Sequence, residues 1–282
     1  MNKKIILPAA IFLAASFTAC QNSGKTSESE VASGGHDSIA VPAAPNNDAI
    51  TVTPVKDSPA FPDGKLAVKS MKTEPAGPDS VKLNVEFDVQ NYKLGDQTPD
   101  AAGKGCNNSK QGQHIHFVMD NGPYAALYEP KHSITLAKNS EHWLMTFLSR
   151  SYHEAVKTKT AYVLTHFKVD EKGNVQKMEV PKTPMLFYSR PKGTYLADDT
   201  KKVLLDWYLV NTTLSPAGDK VKATVNGKAF TLTDWTANFI ENAPMGDLNI
   251  KLELVDKDGK AIAGPYNVSE RTVKLAQSEP VK

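Results

Sequence analysis

The sequence predicts an all-β protein made of two tandem immunoglobulin-like β-sandwich domains. Three observations carry that expectation. Apolar and polar residues alternate over short runs, as in VKLNVEFDVQ, where Val81, Leu83, Val85, Phe87 and Val89 share one face. Beyond the first twenty residues no long stretch keeps the 3.6-residue apolar period of a helix. The pattern of the first half also returns in the second, where KVLLDWYLVN and then VKATVNG answer VKLNVEFDVQ and HIHFVMDNG once a long polar loop is removed. A repeat of roughly 90 to 120 residues, all short strands and polar turns, is the pattern of sandwiches in series.

The N-terminus reads as an export signal. Lys3 and Lys4 precede an apolar run, residues 5–16, that is too short to span a bilayer, and Phe17-Thr18-Ala19-Cys20 closes it. This resembles a bacterial lipoprotein signal peptide, although Phe17 stands where such signals usually carry Leu. The resemblance implies removal of residues 1–19, lipidation of the Cys20 thiol and attachment of the exported chain to a membrane through that lipid. Each buried methylene adds about 0.8 kcal/mol to such an anchor. Gln21 lacks the aspartate linked to inner-membrane retention, so the outer membrane is the expected location. Residues 20–60, rich in Ser, Gly, Asn, Ala and Pro, read as a disordered tether, with His36 idle inside it.

The remaining chain divides into a first sandwich at 61–182, a second at 183–277 and a short tail at 278–282. In the first, LAVKSM and VKLNVEFDVQ are strands, and the polar stretch from Gly95 to Gly112 is a long loop of the kind that is functional or mobile. His114 to Met119 is a strand ending in the hairpin signal Asp120-Asn121-Gly122. Strands around ITLA, HWLMTFL and AYVLTHFKV complete the domain, with SRSYHEAVKT as a connection. In the second, Asn226-Gly227 and Lys257-Asp258-Gly259 mark turns between strands.

Charge narrows the function. The formal net charge is +2, and loss of Lys3 and Lys4 leaves 31 basic against 31 acidic side chains. A nucleic-acid binder would need a concentrated basic face, so nucleic acid is not an expected partner. No serine-hydrolase elbow, zinc-protease helix, phosphate loop or dinucleotide fingerprint is present, and the chain is expected to bind without catalysing. With Cys20 lipidated, Cys106 has no intrachain disulfide partner.

Six of the seven histidines fall within residues 112–167, and the second copy of the repeat lacks them. What both copies share is scaffold, so a site belongs to what only the first has. Matching the hairpins sets Ile115, Phe117 and Met119 against Val221, Ala223 and Val225 as inward positions. His114, His116 and Val118 then share the opposite face of their strand. Two imidazoles so placed could hold copper or zinc with a third ligand from His132, His142, His153, His166 or Cys106, of which His153 is the first choice. A different set, Arg150, His153, Arg190 and Lys192 in SRSYHE and SRPKG, suits an anion gripped by charge-assisted hydrogen bonds.

GQHIHFVMDNGPY, SRSYHEAVK, FYSRPKGTY, VLLDWYLVN, VKATVNGKAF and IKLELVDKDGKAIAGPYN together resemble a family of exported lipoproteins common among Bacteroidota, over about Val68 to Leu275. Some members carry the name phosphopeptide-binding protein. A forkhead-associated domain, which that name would imply, has a Gly-Arg pair and a Ser-Arg-x-His phrase; here Ser149 to His153 holds one residue too many and no Gly-Arg precedes it. The first expectation is therefore a lipid-anchored envelope module that recognises an anionic peptide or envelope polymer. The alternatives are a copper or zinc module built on His114, His116 and His153, and a structural spacer of the envelope with no small ligand and no cofactor.

Overall fold

The computed structural model describes residues 46–278, so the signal peptide, Cys20, His36 and the last residues of the tail lie outside the described residues. The strands are β1 (Thr51–Pro54), β2 (Lys65–Pro75), β3 (Ser80–Gln90), β4 (His114–Met119), β5 (Ala125–Leu127), β6 (Lys131–Ala137), β7 (Ser140–Ser149), β8 (Tyr162–Val169) and β9 (Val175–Met178). They continue with β10 (Met185–Arg190), β11 (Thr194–Leu196), β12 (Lys202–Val210), β13 (Lys220–Val225), β14 (Lys228–Leu232), β15 (Asn238–Glu241), β16 (Gly246–Val255) and β17 (Val268–Ala276). Among the described residues, helix is confined to single turns such as Ala101–Lys104.

Two sandwiches result. The first faces a sheet of order β2-β3-β6 with one of order β5-β4-β7-β8-β9; the second faces β1-β15-β12-β10 with β11-β17-β16-β13-β14. The repeat holds around the hairpin: β4 lies between its hairpin partner β5 and the long β7, as β13 lies between β14 and β16. Alternation sorts the faces as the sequence predicts. Ile115 and Phe117 enter the first core beside Leu83, Phe87, Leu144 and Phe167, while Val221, Ala223 and Val225 enter the second beside Trp207, Ile250 and Leu252. The turn after β4 puts Asp120 and Asn121 at φ +50° and +54°, and the turn after β13 puts Asn226 and Gly227 at +46° and +86°, in the left-handed region that Asn, Asp and Gly tolerate best.

One expectation needs correction. The tether does not run to residue 60, because β1 pairs with β15 on the edge of the second sandwich and Ile50 is buried in that sandwich's core. The alternating Ile50, Val52 and the buried Val55 carry enough apolar surface to dock, although their polar flanks masked the pattern. The second sandwich therefore draws its edge strand from before the first.

The sandwiches also share a third apolar cluster. The outer face of the β4–β7 sheet lies on the outer face of the β10–β12 pair, burying Val118, Met145, Phe147 and Ala155 against Met185, Phe187, Tyr208 and Val210. Phe147 and Tyr208 stack with centroids 4.9 Å apart. Polar staples flank this patch. Asn121 Oδ1 accepts from the Tyr188 N–H at 2.7 Å, its Nδ2 donates to Ser269 Oγ at 2.6 Å, and Arg271 donates to the carbonyls of Asn121 and Gly122. The buried Asp206 carboxylate accepts from the Ala155 N–H at 2.7 Å and from the Lys157 ammonium; burial raises its pKa, with Lys157 opposing.

Asn121→Ala removes both side-chain bonds and puts a Cβ-bearing residue without local hydrogen bonding in the left-handed region. The expected cost is about 2 to 3 kcal/mol of unfolding free energy, read as a lower urea midpoint. An unchanged midpoint would show that this turn does not hold the sandwiches together.

Candidate metal centre

Strand β4 delivers His114 and His116 to the interface, on the face that also carries Val118. The connection Arg150–Val156 delivers His153. That connection is almost wholly buried, and its own bonds fix its path: Arg150 N–H to the Glu154 carbonyl, His153 N–H to the Arg150 carbonyl, and Ala155 N–H to Asp206. His153 has φ +71°, a left-handed conformation that L side chains seldom adopt, and it persists because the surrounding chain enforces it. The long loop closes over the same segment. Thr98 and Ser151 exchange backbone-to-hydroxyl bonds at 3.1 and 2.9 Å, and Ser109 N–H donates to the Ser151 carbonyl. Gly112 makes that closure fit, since a Cβ there would sit 2.2 Å from the Gly95 carbonyl oxygen.

The three imidazoles converge. His116 Nε2 and His153 Nδ1 each lie 3.0 Å from His114 Nε2, and all three nitrogens fall within 4.8 Å of one another. The outer nitrogens of His114 and His116 are anchored. His114 Nδ1 is 2.8 Å from the Gly112 carbonyl, which can only accept, so the proton sits on Nδ1 and the Nε2 lone pair faces its neighbours. His116 Nδ1 is 3.0 Å from Ser189 Oγ of the second sandwich. Ser189 lies where a bulge breaks the β10–β12 register between Tyr188 and Arg190. Tyr124 stacks on His116 at 3.5 Å and 11°, with its hydroxyl 3.1 Å from His153 Nδ1.

Electrostatics keep these imidazoles neutral. Relative exposure is 0% for His114 and His116 and 7% for His153, and burial is the main reason their pKa values fall, His114 to about 4 and the others well below the ordinary histidine value. Arg190 and Lys192 reinforce the effect. Arg190 lies 5.4 Å from the Tyr124 ring, donates to Tyr195 Oη at 2.7 Å and has a buried Nε without a partner. Lys192 Nζ donates to the Tyr124 carbonyl and sits 3.9 Å from its ring centroid. Neutral imidazole is the form that ligates metal.

The remaining sequence candidates separate. Arg150 is a structural arginine: it donates to the Pro59 and Ala155 carbonyls and faces Glu154 at 3.6 Å, so no fork is left for an anion. Arg190 and Lys192 flank the histidines without surrounding a cavity with Arg150. His132 lies beside Phe117, His142 pairs with Asp120, and His166 pairs with Glu141 while stacking on Trp143. Cys106 packs against the Val55, Leu204 and Phe239 cluster, where burial pushes its thiol up to about 11. Sequence reasoning missed Tyr124, for which no spacing signal existed, and read Ser189 only within the SRPKG anion phrase.

No protein-family model matches the chain, and no curated protein does. Among solved structures, the chain is similar to the fibronectin(III)-like modules of CbhA from Clostridium thermocellum, at 14% identity and TM-score 0.27 over 34% of this chain and 100% of that one. It is also similar to the central fibronectin-III array of RIM-binding protein, at 10% identity and TM-score 0.24 over 77% and 71% of the two chains. A third likeness is to the tandem V-type regions of the chitin-binding protein VCBP3, at 8% identity and TM-score 0.23 over 76% and 99%. The sandwich architecture stands on the strand order itself.

Neutral buried histidines make stability depend on pH in a defined sense. Their folded pKa values lie below the unfolded value near 6.5, so the unfolded chain takes up protons that the folded chain refuses as pH falls. Stability is then level above about pH 7 and declines from about 6.5 toward 4. His114 alone accounts for about 2 kcal/mol between pH 7 and 5. Urea unfolding at the two pH values measures this, and equal stabilities would show that the trio is not held neutral.

Proposed function

We propose that the protein is an envelope-anchored metal-binding module, which takes up one copper or zinc ion at His114, His116 and His153. The observation that carries this reading is the convergence of three imidazole nitrogens, 3.0 Å apart along two sides, in a buried setting that keeps them neutral. Metal–nitrogen bonds near 2.0 Å set ligand nitrogens about 3.3 Å apart in a tetrahedral site, so loading opens the two 3.0 Å sides by a few tenths of an ångström and draws in the third, which spans up to 4.8 Å. A core that needed only packing would gain more from apolar side chains than from three imidazoles that must satisfy one another by hydrogen bonds. Lipidation of Cys20 would hold the module at the membrane, in keeping with the resemblance of residues 1–20 to a lipoprotein signal. Metal retention, with no turnover, is the proposed activity.

Titration of the purified protein with zinc and copper, by calorimetry and by chelator competition, tests the reading. The expected result is one equivalent bound with submicromolar affinity, weakened about 100-fold or more by His114→Ala and by His153→Ala. Thermal melts of the variants confirm that each is folded. Absence of binding, or binding indifferent to both substitutions, would overturn the proposal in favour of a structural spacer.

A further inference from the structure

We infer that the centre is selective for the monovalent cuprous ion over divalent zinc and copper, because the second sandwich sets two cations and no carboxylate beside three neutral nitrogen donors. The inference rests on the metal-binding reading and adds the identity and charge of the ion. Its geometry is on one side of the interface. Tyr124 stacks directly on His116, and the Arg190 guanidinium and Lys192 ammonium lie 5.4 and 3.9 Å from that same ring. Arg190 is buried, donates to the Tyr195 phenol and leaves its Nε unpaired. Glu154, the carboxylate next in sequence to His153, is engaged by Ser58 and Arg150.

A cation fixed near a metal site opposes each unit of the metal's charge. For charges about 8 Å apart at an effective dielectric of about 20, the repulsion is worth roughly thirtyfold in an equilibrium constant per unit of metal charge. Arg190 applies this penalty in full to a dication over a monocation; Lys192, whose pKa burial lowers to about 8, adds a smaller one. Zinc sites elsewhere offset their charge with thiolates, carboxylates or bound water, and none of the first two joins this trio among the described residues. Coordination number points the same way. Three buried imidazoles offer a trigonal set, which Cu(I) accepts, and the Tyr124 hydroxyl, 3.1 Å from His153 Nδ1, is a neutral oxygen beside it. Zn(II) and Cu(II) ask for a fourth or fifth donor.

The test compares affinities at pH 7, using bicinchoninate competition under reducing conditions for Cu(I) and a zinc-chelating dye for Zn(II), in the wild-type protein and in Lys192→Gln and Arg190→Gln. Cu(I) is expected to bind at least 100-fold more tightly than Zn(II). Arg190→Gln should narrow that ratio by about thirtyfold and Lys192→Gln by about tenfold, and each should lower the reduction potential of bound copper by about 59 mV per tenfold change. Lys192 is partly exposed, so its variant remains informative if Arg190→Gln fails to fold. Zinc bound as tightly as Cu(I), a ratio unmoved by Lys192→Gln, or zinc binding strengthened by inorganic phosphate would each overturn the inference while leaving the metal site intact. The last result would mean that the cations pair an anion. Binding of neither metal would overturn the underlying reading as well.

Discussion

The burial of the first sandwich's outer sheet face against the second sandwich is the constraint on which the other features depend. A sheet in an isolated sandwich keeps one face dry and one wet. Here Val118, Met145 and Phe147 on one side and Phe187, Tyr208 and Val210 on the other make both faces of the β4–β7 region dry. Histidines that would otherwise stand in solvent with ordinary pKa values are thereby enclosed. Their neutrality, their short mutual contacts and the positive field of Arg190 and Lys192 all follow from that enclosure.

Burial of this kind has to be satisfied for every polar group, and the interface shows how. Asn121 and Arg271 occupy the turn at one edge, and Asp206 meets Ala155 and Lys157 beside the connection that carries His153. Asp206 belongs to the second sandwich and the segment it holds belongs to the first. The left-handed backbone of His153 is thus stabilised from across the interface, and the site is a property of the pair of sandwiches, not of either one.

Much of this was legible in the sequence. Period-two alternation and the internal repeat predicted the all-β architecture, and matching the two hairpins sorted Ile115 and Phe117 inward and His114 and His116 outward. What alternation could not say is what covers the outward face, because the cover comes from residues some seventy positions later whose own alternation looks like any other strand. The first-choice anion set failed at Arg150 for the same reason. Sequence adjacency to His153 suggested a shared site, yet its guanidinium is taken up by the Pro59 and Ala155 carbonyls. The edge strand at Thr51–Pro54 was hidden by its length, four residues amid polar neighbours, and its pairing lies almost two hundred residues away.

The comparison of the two copies also explains why the histidine cluster sits where it does. Both sandwiches place a hairpin strand second from one edge of the five-stranded sheet, and in both the inward residues are apolar. In the second copy the alternate positions, Lys222 and Thr224, are exposed and half-buried, so polar side chains there reach water without cost. In the first, the equivalent face is sealed by a neighbour, where an ordinary polar residue would be left unsatisfied. Three histidines solve that problem collectively, since each imidazole can accept at one nitrogen and donate at the other, and the same arrangement leaves lone pairs that a metal ion can use.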